Sequence, residues 1–272
     1  MAERQDARGR TGGKVNMIRF PWGKRAILAA GALLLAAGVA SCGGGGKADV
    51  TDRPIDDTVL GTMAVYEVDL PGDFAGFVKI EGSGFKNNEQ SAQENFDPVD
   101  ELQDLERFAQ EREYVRRYGP EADGSTSAGA INFVSAVRLF KDASGAAAYL
   151  EDELADTEGS VGKEAAGVTI DAVKRLKVGG IGDKAAGVKI TMTVAGEGSE
   201  RPEYETRVFF RRGRLLVDLA AIRRDDIDFK SELETLARSL DERIEIVLKE
   251  EPAVSPAPAA SPTPEASPTP AQ

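Results

Sequence analysis

The residue types best suited to chemistry stand at a few places in the chain. These are a thiol at Cys42, arginines at Arg211, Arg212 and Arg214, glycines at Gly179, Gly180 and Gly182, and carboxylates at Asp225, Asp226 and Asp228. The arginines lie close to Arg207, Arg223 and Arg224 in a chain of net charge -12. A guanidinium fork suits phosphate or carboxylate. Arg211, Arg212 and Arg214 are therefore candidate contacts for an anionic headgroup, a wall polymer or an acidic partner; solvated hairpin ends are the plainer alternative. The glycines do not make a phosphate loop, because Asp183-Lys184 and a β-type run follow in place of Gly-Lys-Ser/Thr. They read as a turn before a strand. The acidic trio precedes a helix and suits its N-terminus. Neither it nor Asp56-Asp57 has the spacing of a calcium loop, so no metal site is expected.

There is no histidine, which removes the commonest general base and the commonest zinc ligand. Ser135 and Ser160 lack the Gly-x-Ser-x-Gly setting of an activated nucleophile. A non-catalytic protein without a cofactor is the expectation. Nucleic acid is not an expected partner, since phosphate backbones demand a surplus of Lys and Arg.

The charge is unevenly spread. Residues 1–41 carry seven basic and two acidic side chains, a net +5, and residues 42–272 carry 27 basic and 44 acidic, a net -17. "WGKR" is followed by 15 apolar or small residues, Ala26 to Ala40. A membrane-spanning helix needs about 20, so the run fits the apolar region of a secretory signal better than an uncleaved anchor. Lys24 and Arg25 would hold its start on the cytoplasmic side. Met17 offers a second start, giving the compact leader "MIRFPWGKR".

Val39, Ala40, Ser41 and Cys42 resemble the lipobox of bacterial lipoproteins. The resemblance implies removal of residues 1–41, with Val39, Ala40 and Ser41 recognised, and a diacylglyceryl thioether on Cys42. Two acyl chains anchor stably where one does not. The expected location is extracytoplasmic, on the cell membrane or, in a two-membrane envelope, the outer membrane. Gly43 to Gly46 read as slack in a tether that is expected to reach residue 62. At the other end, residues 251–272 include "ASPTPEASPTPA". Proline at this density excludes helix and sheet, so an extended disordered tail is expected. It is either a plain solvated spacer or a site of O-glycosylation at Ser261, Thr263, Ser267 and Thr269.

Between these ends, residues 63–250 suffice for one well-buried core. "MAVYEVDLPG" reads as a strand, "FAGFVKIEGSGF" as a glycine-interrupted strand and "KNNEQSAQEN" as a loop. A helix begins at Asp97-Pro98 and carries Val99, Leu102, Leu105, Phe108 and Ala109 on one face. "YVRRYG" and "AINFVSAVRLF" read as strands, and Asp142 caps a helix with Ala146, Leu150 and Leu154 at a spacing of four. "VTIDAVKRLKV" suits strand or short helix. "VKITMTV" alternates, with Val188, Ile190, Met192 and Val194 inward. "TRVFF" and "LLVDLAAI" form a hairpin turned at Gly213, with Leu215, Val217 and Leu219 on one face. A final helix spans roughly 228–248 on a stripe of Leu233, Leu236, Ala237, Leu240, Ile244, Val247 and Leu248, with Glu234 and Arg238 paired four apart.

The fold expected is a single α+β domain with a mainly antiparallel sheet covered by about three amphipathic helices, flanked by disordered termini. "GGIGDKAAGVKI", "VFFRRGRLLVDL" and "LARSLDERI", within the last third of the chain, resemble the extracytoplasmic domains of actinobacterial lipoproteins and of some serine/threonine kinase sensors. The resemblance implies a domain that binds or senses without catalysis. The partner would be an envelope protein, a wall polymer or a small ligand. The rivals are a lipid carrier, which needs an apolar cavity between sheet and helices, and an envelope enzyme.

Overall fold

The computed structural model describes residues 54–94, 98–121, 129–165, 167–196 and 199–249. The residues read as signal and lipobox, Cys42, the expected cap Asp97 and the proline-rich tail lie outside them. Among the described residues are strands β1 (Val78–Lys79), β2 (Gly84–Lys86), β3 (Gln110–Gly119), β4 (Ala130–Phe140), β5 (Glu164–Ala165), β6 (Val168–Leu176), β7 (Lys184–Gly196), β8 (Ser199–Arg212) and β9 (Leu215–Arg223). The helices are α1 (Asp57–Thr62), α2 (Asn88–Ala92), α3 (Pro98–Arg107), α4 (Ala143–Gly159) and α5 (Lys230–Lys249). All strand pairs are antiparallel. The strand order is β1-β3-β4-β9-β8-β7-β6-β5, with β2 also on β3. The α+β expectation holds. No helix among the described residues is long and apolar enough to cross a membrane.

Helices cover both faces of the sheet. Alternate residues of one strand point to opposite faces, and here both sets are buried. Phe133, Val137, Val208, Phe210, Leu215, Val217 and Leu219 meet α1, α5 and the segment 63–77. Phe140, Val188, Ile190, Met192, Phe209 and Leu216 meet α3 and α4. The heart of the first layer is Phe74, whose ring stands edge-on to Phe77, Phe133 and Phe229 at 5.2, 5.5 and 5.2 Å.

Several elements follow from local chemistry already visible in the chain. Asp142 accepts from Gly145 N at 2.9 Å and starts α4. Gly145 is required there, because a Cβ would collide with the Phe108 carbonyl. Gly213 turns the β8–β9 hairpin at φ 54°, a left-handed conformation that glycine adopts without strain. "VTIDAVKRLKV" resolves as strand β6.

Other expectations are corrected. Residues 54–62 are not tether: Ile55 and Leu60 are buried, and Asp56 caps α1 by accepting from Val59 N at 2.8 Å. "MAVYEVDLPG" is not a strand. Met63, Ala64 and Val65 are buried in succession, which the two-residue period of a half-exposed strand does not permit. Side chains replace the missing ladder: Tyr118 Oη donates to Val65 O at 2.6 Å, and Arg116 donates to Val65 O at 2.9 Å and Gly61 O at 3.0 Å. Burial raises the Tyr118 hydroxyl to about 12, so it stays a donor.

"KNNEQSAQEN" is not a plain loop. Asn87 accepts from Gln90 N at 2.8 Å while Gln90 Oε1 accepts from Asn87 N at 3.0 Å, a reciprocal capping box that starts α2. Val99, expected on the core face of α3, is exposed. Glu234 pairs with Lys230 rather than Arg238.

The outer edge of the sheet is thinly covered. β5 pairs only with Thr169 and Val168, and Ile170 exchanges hydrogen bonds with Gly162 and Lys163. From Asp171 to Leu176 no further strand lies beside β6 among the described residues. A register shift falls between Ile170 and Ala172.

Candidate functional site

The structure brings Arg211, Arg212 and Arg214 together at the β8–β9 turn and engages each of them. Arg212 makes a two-pronged pair with Asp241 of α5, at 2.9 Å from Nε and 2.6 Å from Nη2. Arg211 Nη1 donates to Gly213 O at 2.8 Å and lies 3.3 Å from Asp183. Arg214 Nη1 stands 3.1 Å from both Glu111 and the Phe140 carbonyl. Asp241 also accepts from Gly182 N at 2.9 Å, and Asp183 accepts from Gly213 N at 2.7 Å. The glycine loop 179–182 is therefore half of a latch, as a turn before a strand. Its Gly179 and Gly180 carbonyls accept from Arg238 at 3.0 and 2.9 Å. An acidic ligand at these arginines would have to compete with Asp183, Asp241 and Glu111.

The other sequence candidates are likewise accounted for within the fold. Asp225 accepts from Arg223 at 2.7 Å, and that bond holds its carboxyl below the usual range. Asp226 pairs with Lys189, and Asp228 accepts from Lys230 N at 3.1 Å at the start of α5. Ser135 is buried and accepts from Val65 N at 3.2 Å.

The densest arrangement of charge lies elsewhere, on the face that α4 covers. Arg138 (β4), Arg207 (β8), Glu113 (β3), Glu205 (β8), Asp218 (β9) and Glu153 (α4) form a connected group, and the five strand residues in it are buried. Arg207 Nη2 lies 2.6 Å from Asp218, Nη1 lies 3.0 Å from Glu153, and Nε lies 3.4 Å from Glu205. Arg138 Nη2 is 3.1 Å from Glu113, which also accepts from Ser91 Oγ at 2.9 Å. Arg138 Nη1 is buried without a hydrogen-bond partner, with Asp218 Oδ2 at 3.7 Å.

Burial works against the charge on Arg138. The surrounding Tyr149, Glu113, Asp218 and Glu153 outweigh it, and its pKa moves upward. Arg207 behaves alike, with Asp218, Glu153 and Glu205 overcoming burial. Glu205 also moves upward, which for a carboxylate favours the neutral form. Burial pushes its carboxyl up to about 7, Arg207 pulls it down, and Asp218 and Glu153 add to the rise. Two cations thus hold four carboxyls, and one of those carboxyls is poised near neutrality.

A cleft of about 500 Å³ opens between residues 69–72 and α5, lined by Asp69, Pro71, Gly72, Ser231, Thr235 and Ser239. The three hydroxyl residues recur every fourth position and so share one side of the helix. Arg243 anchors the cleft wall, donating to Asp69 at 2.7 Å.

Sequence reading missed the buried charges. It assigned one face of β9 to Leu215, Val217 and Leu219 and said nothing of the face carrying Asp218. The available signal was a set of charged residues inside strongly apolar strands: Arg138 in "AVRLF", Asp218 in "LLVDLAAI" and Arg207 in "TRVFF".

No protein-family model and no curated protein matches this chain. Among solved structures, it is similar to the extracellular domain of PknH from Mycobacterium tuberculosis at 14% identity and a TM-score of 0.42, over 73% of this chain and 100% of that one. It is also similar to PA94 from Pseudomonas aeruginosa, described as a protein of unknown function and putative regulator, at 15% identity and a TM-score of 0.25, over 47% of this chain and 81% of that one.

Proposed function

We propose that this chain is a cell-envelope lipoprotein, exported by its first 41 residues and held at the membrane through Cys42. Its α+β body binds or senses an extracytoplasmic ligand without catalysing a reaction. The observation that carries the reading is Val39-Ala40-Ser41-Cys42 itself, set between an apolar run and four glycines in a chain with no second thiol. A lone cysteine there has no disulfide partner, and acylation gives it a physical role.

The packing of the body favours binding at its surface over carriage of a lipid inside. A carrier needs an apolar void between sheet and helices. The side chains there, including Phe74, Phe133, Phe209, Phe210 and Leu150, are fully buried and belong to continuous packed layers. The cleft beside α5 is open and of mixed character, with Pro71 and Leu236 beside Ser231, Thr235 and Ser239, and offers a small ligand both apolar contact and hydroxyl groups. The hairpin arginines Arg211, Arg212 and Arg214 are the place for an acidic partner able to displace their present carboxylates.

Labelling cells with an alkyne fatty acid tests the anchor. The wild-type chain takes up label and Cys42→Ala does not. Equal label in the two sinks the lipoprotein reading.

A further inference from the structure

We propose that Glu205 is a proton-binding group that sets how tightly α4 docks on the sheet: protonated, it lets Arg207 hold α4 through Glu153; ionised, it repels that attachment. The proposal concerns the body alone and is independent of the anchor on Cys42.

The geometry supplies the reason. Glu205 points to the face of β8 that α4 covers. The negative charge of Glu153 acts on it from α4, and that of Asp218 from β9. On its own strand Arg207 lies on the same face two residues on, and Glu203 two residues before. From β7 it meets Ile190 and Met192, paired in register with Glu205 and Glu203, which offer no compensating charge.

Arg207 is the cation nearest to hand, and it is shared. Asp218 holds it at 2.6 Å and Glu153 at 3.0 Å, whereas Glu205 reaches it only at 3.4 Å. Arg138, the other cation of the group, is engaged with Glu113 at 3.1 Å. Glu205 is therefore the least compensated carboxyl of the group, and one proton is what the cluster lacks. Glu153 is the only member that belongs to a helix. A change at Glu205 is thus felt at the single ionic link between α4 and the strands of this cluster.

The direction with pH follows. The carboxyl of Glu205 rises from an ordinary 4.5 to about 7 on folding, and burial raises Glu203 as well. Between these values the folded chain holds more protons than the unfolded one. Stability from this source is therefore full below the ordinary 4.5, falls as pH climbs from there to about 7, and is gone above it. Asp225, Glu158 and Asp142 are shifted downward by their hydrogen-bond partners. They act below the ordinary carboxylate range and leave the window from pH 5 to 8 to Glu205 and Glu203.

The test is denaturant unfolding of the full-length chain from pH 5 to 8, with amide exchange along 143–159 corrected for its intrinsic pH dependence. For the wild type we expect the unfolding constant to rise roughly a hundredfold across that range, with α4 exchange accelerating in step. Glu205→Gln, similar in shape and unable to ionise, removes most of both changes. Glu153→Gln, which takes away one facing charge, reduces them. A direct reading comes from the side-chain carboxyl of Glu205 by ¹³C NMR in the wild type, so the test survives a variant that fails to fold. A midpoint between pH 6 and 8 supports the proposal, and one below 5.5 overturns it. An unchanged pH slope in Glu205→Gln also overturns it, as does a lost slope with α4 exchange unaltered.

Discussion

The two faces of the sheet are made by the same strands and hold their helices by different means. On one, Phe74 gathers three aromatic rings and α5 lays down an aliphatic stripe. On the other, α4 sits over two arginines and three carboxyls embedded among apolar residues and adds a fourth carboxyl, Glu153. Dispersion and water exclusion depend on shape and do not respond to protons. A buried ionic layer depends on partners and protonation, and it is costly when incomplete. Neighbouring residues along one strand, Val217 and Asp218, therefore belong to environments with different sensitivities.

Substitutions can break this contrast or sharpen it. Phe74→Ala should cost the most, about 4 kcal/mol, and shift the whole stability curve without changing its pH slope. Denaturant unfolding at pH 5.5 and 8 checks this, and an altered slope would mean that the faces are coupled. Arg138→Met should cost about 3 kcal/mol, because Glu113 and Asp218 then lose a buried cation. Adding Glu113→Gln to it should restore a substantial part, which a double-mutant cycle measures. If the single variant is harmless, the ionic face is not the charge-dependent layer described above. The smallest effect is expected at the hairpin latch, at the rim of the first face where α5 meets the end of β8. Asp241→Asn weakens a two-pronged pair and should cost about 1–2 kcal/mol, with faster amide exchange at Gly182 as its local sign.

How far the sequence foretold the structure differs along the same lines. Elements whose signals are local were legible: Asp142 as a cap, Gly213 as a turn, the alternation of "VKITMTV" and the stripe of the last helix. The segment 63–77 was not, because the carbonyls of Ala64 and Val65 are satisfied by side chains from β3, more than fifty residues later. Arg116 and Tyr118 carry no mark in the chain of the carbonyls that they will serve. The charge cluster was hidden for a related reason. Period-two alternation tells which residues share a face of a strand, and it is silent on whether a second layer of helices will bury the polar face too. The hairpin arginines illustrate the converse. Their clustering was plain, but the carboxylates that occupy them come from α5, from β3 and from the loop before β7.

The outer edge of β6 has a consequence for life at close quarters. A bare strand edge is a template on which a neighbouring chain can add itself, and growth in that direction ends in fibres. Between Asp171 and Leu176 this edge is interrupted by a break in register and carries Lys174 and Arg175 side by side. Such features oppose edge-to-edge addition of further copies, and replacing both cations with threonine should increase self-association, read as larger species in size-exclusion chromatography.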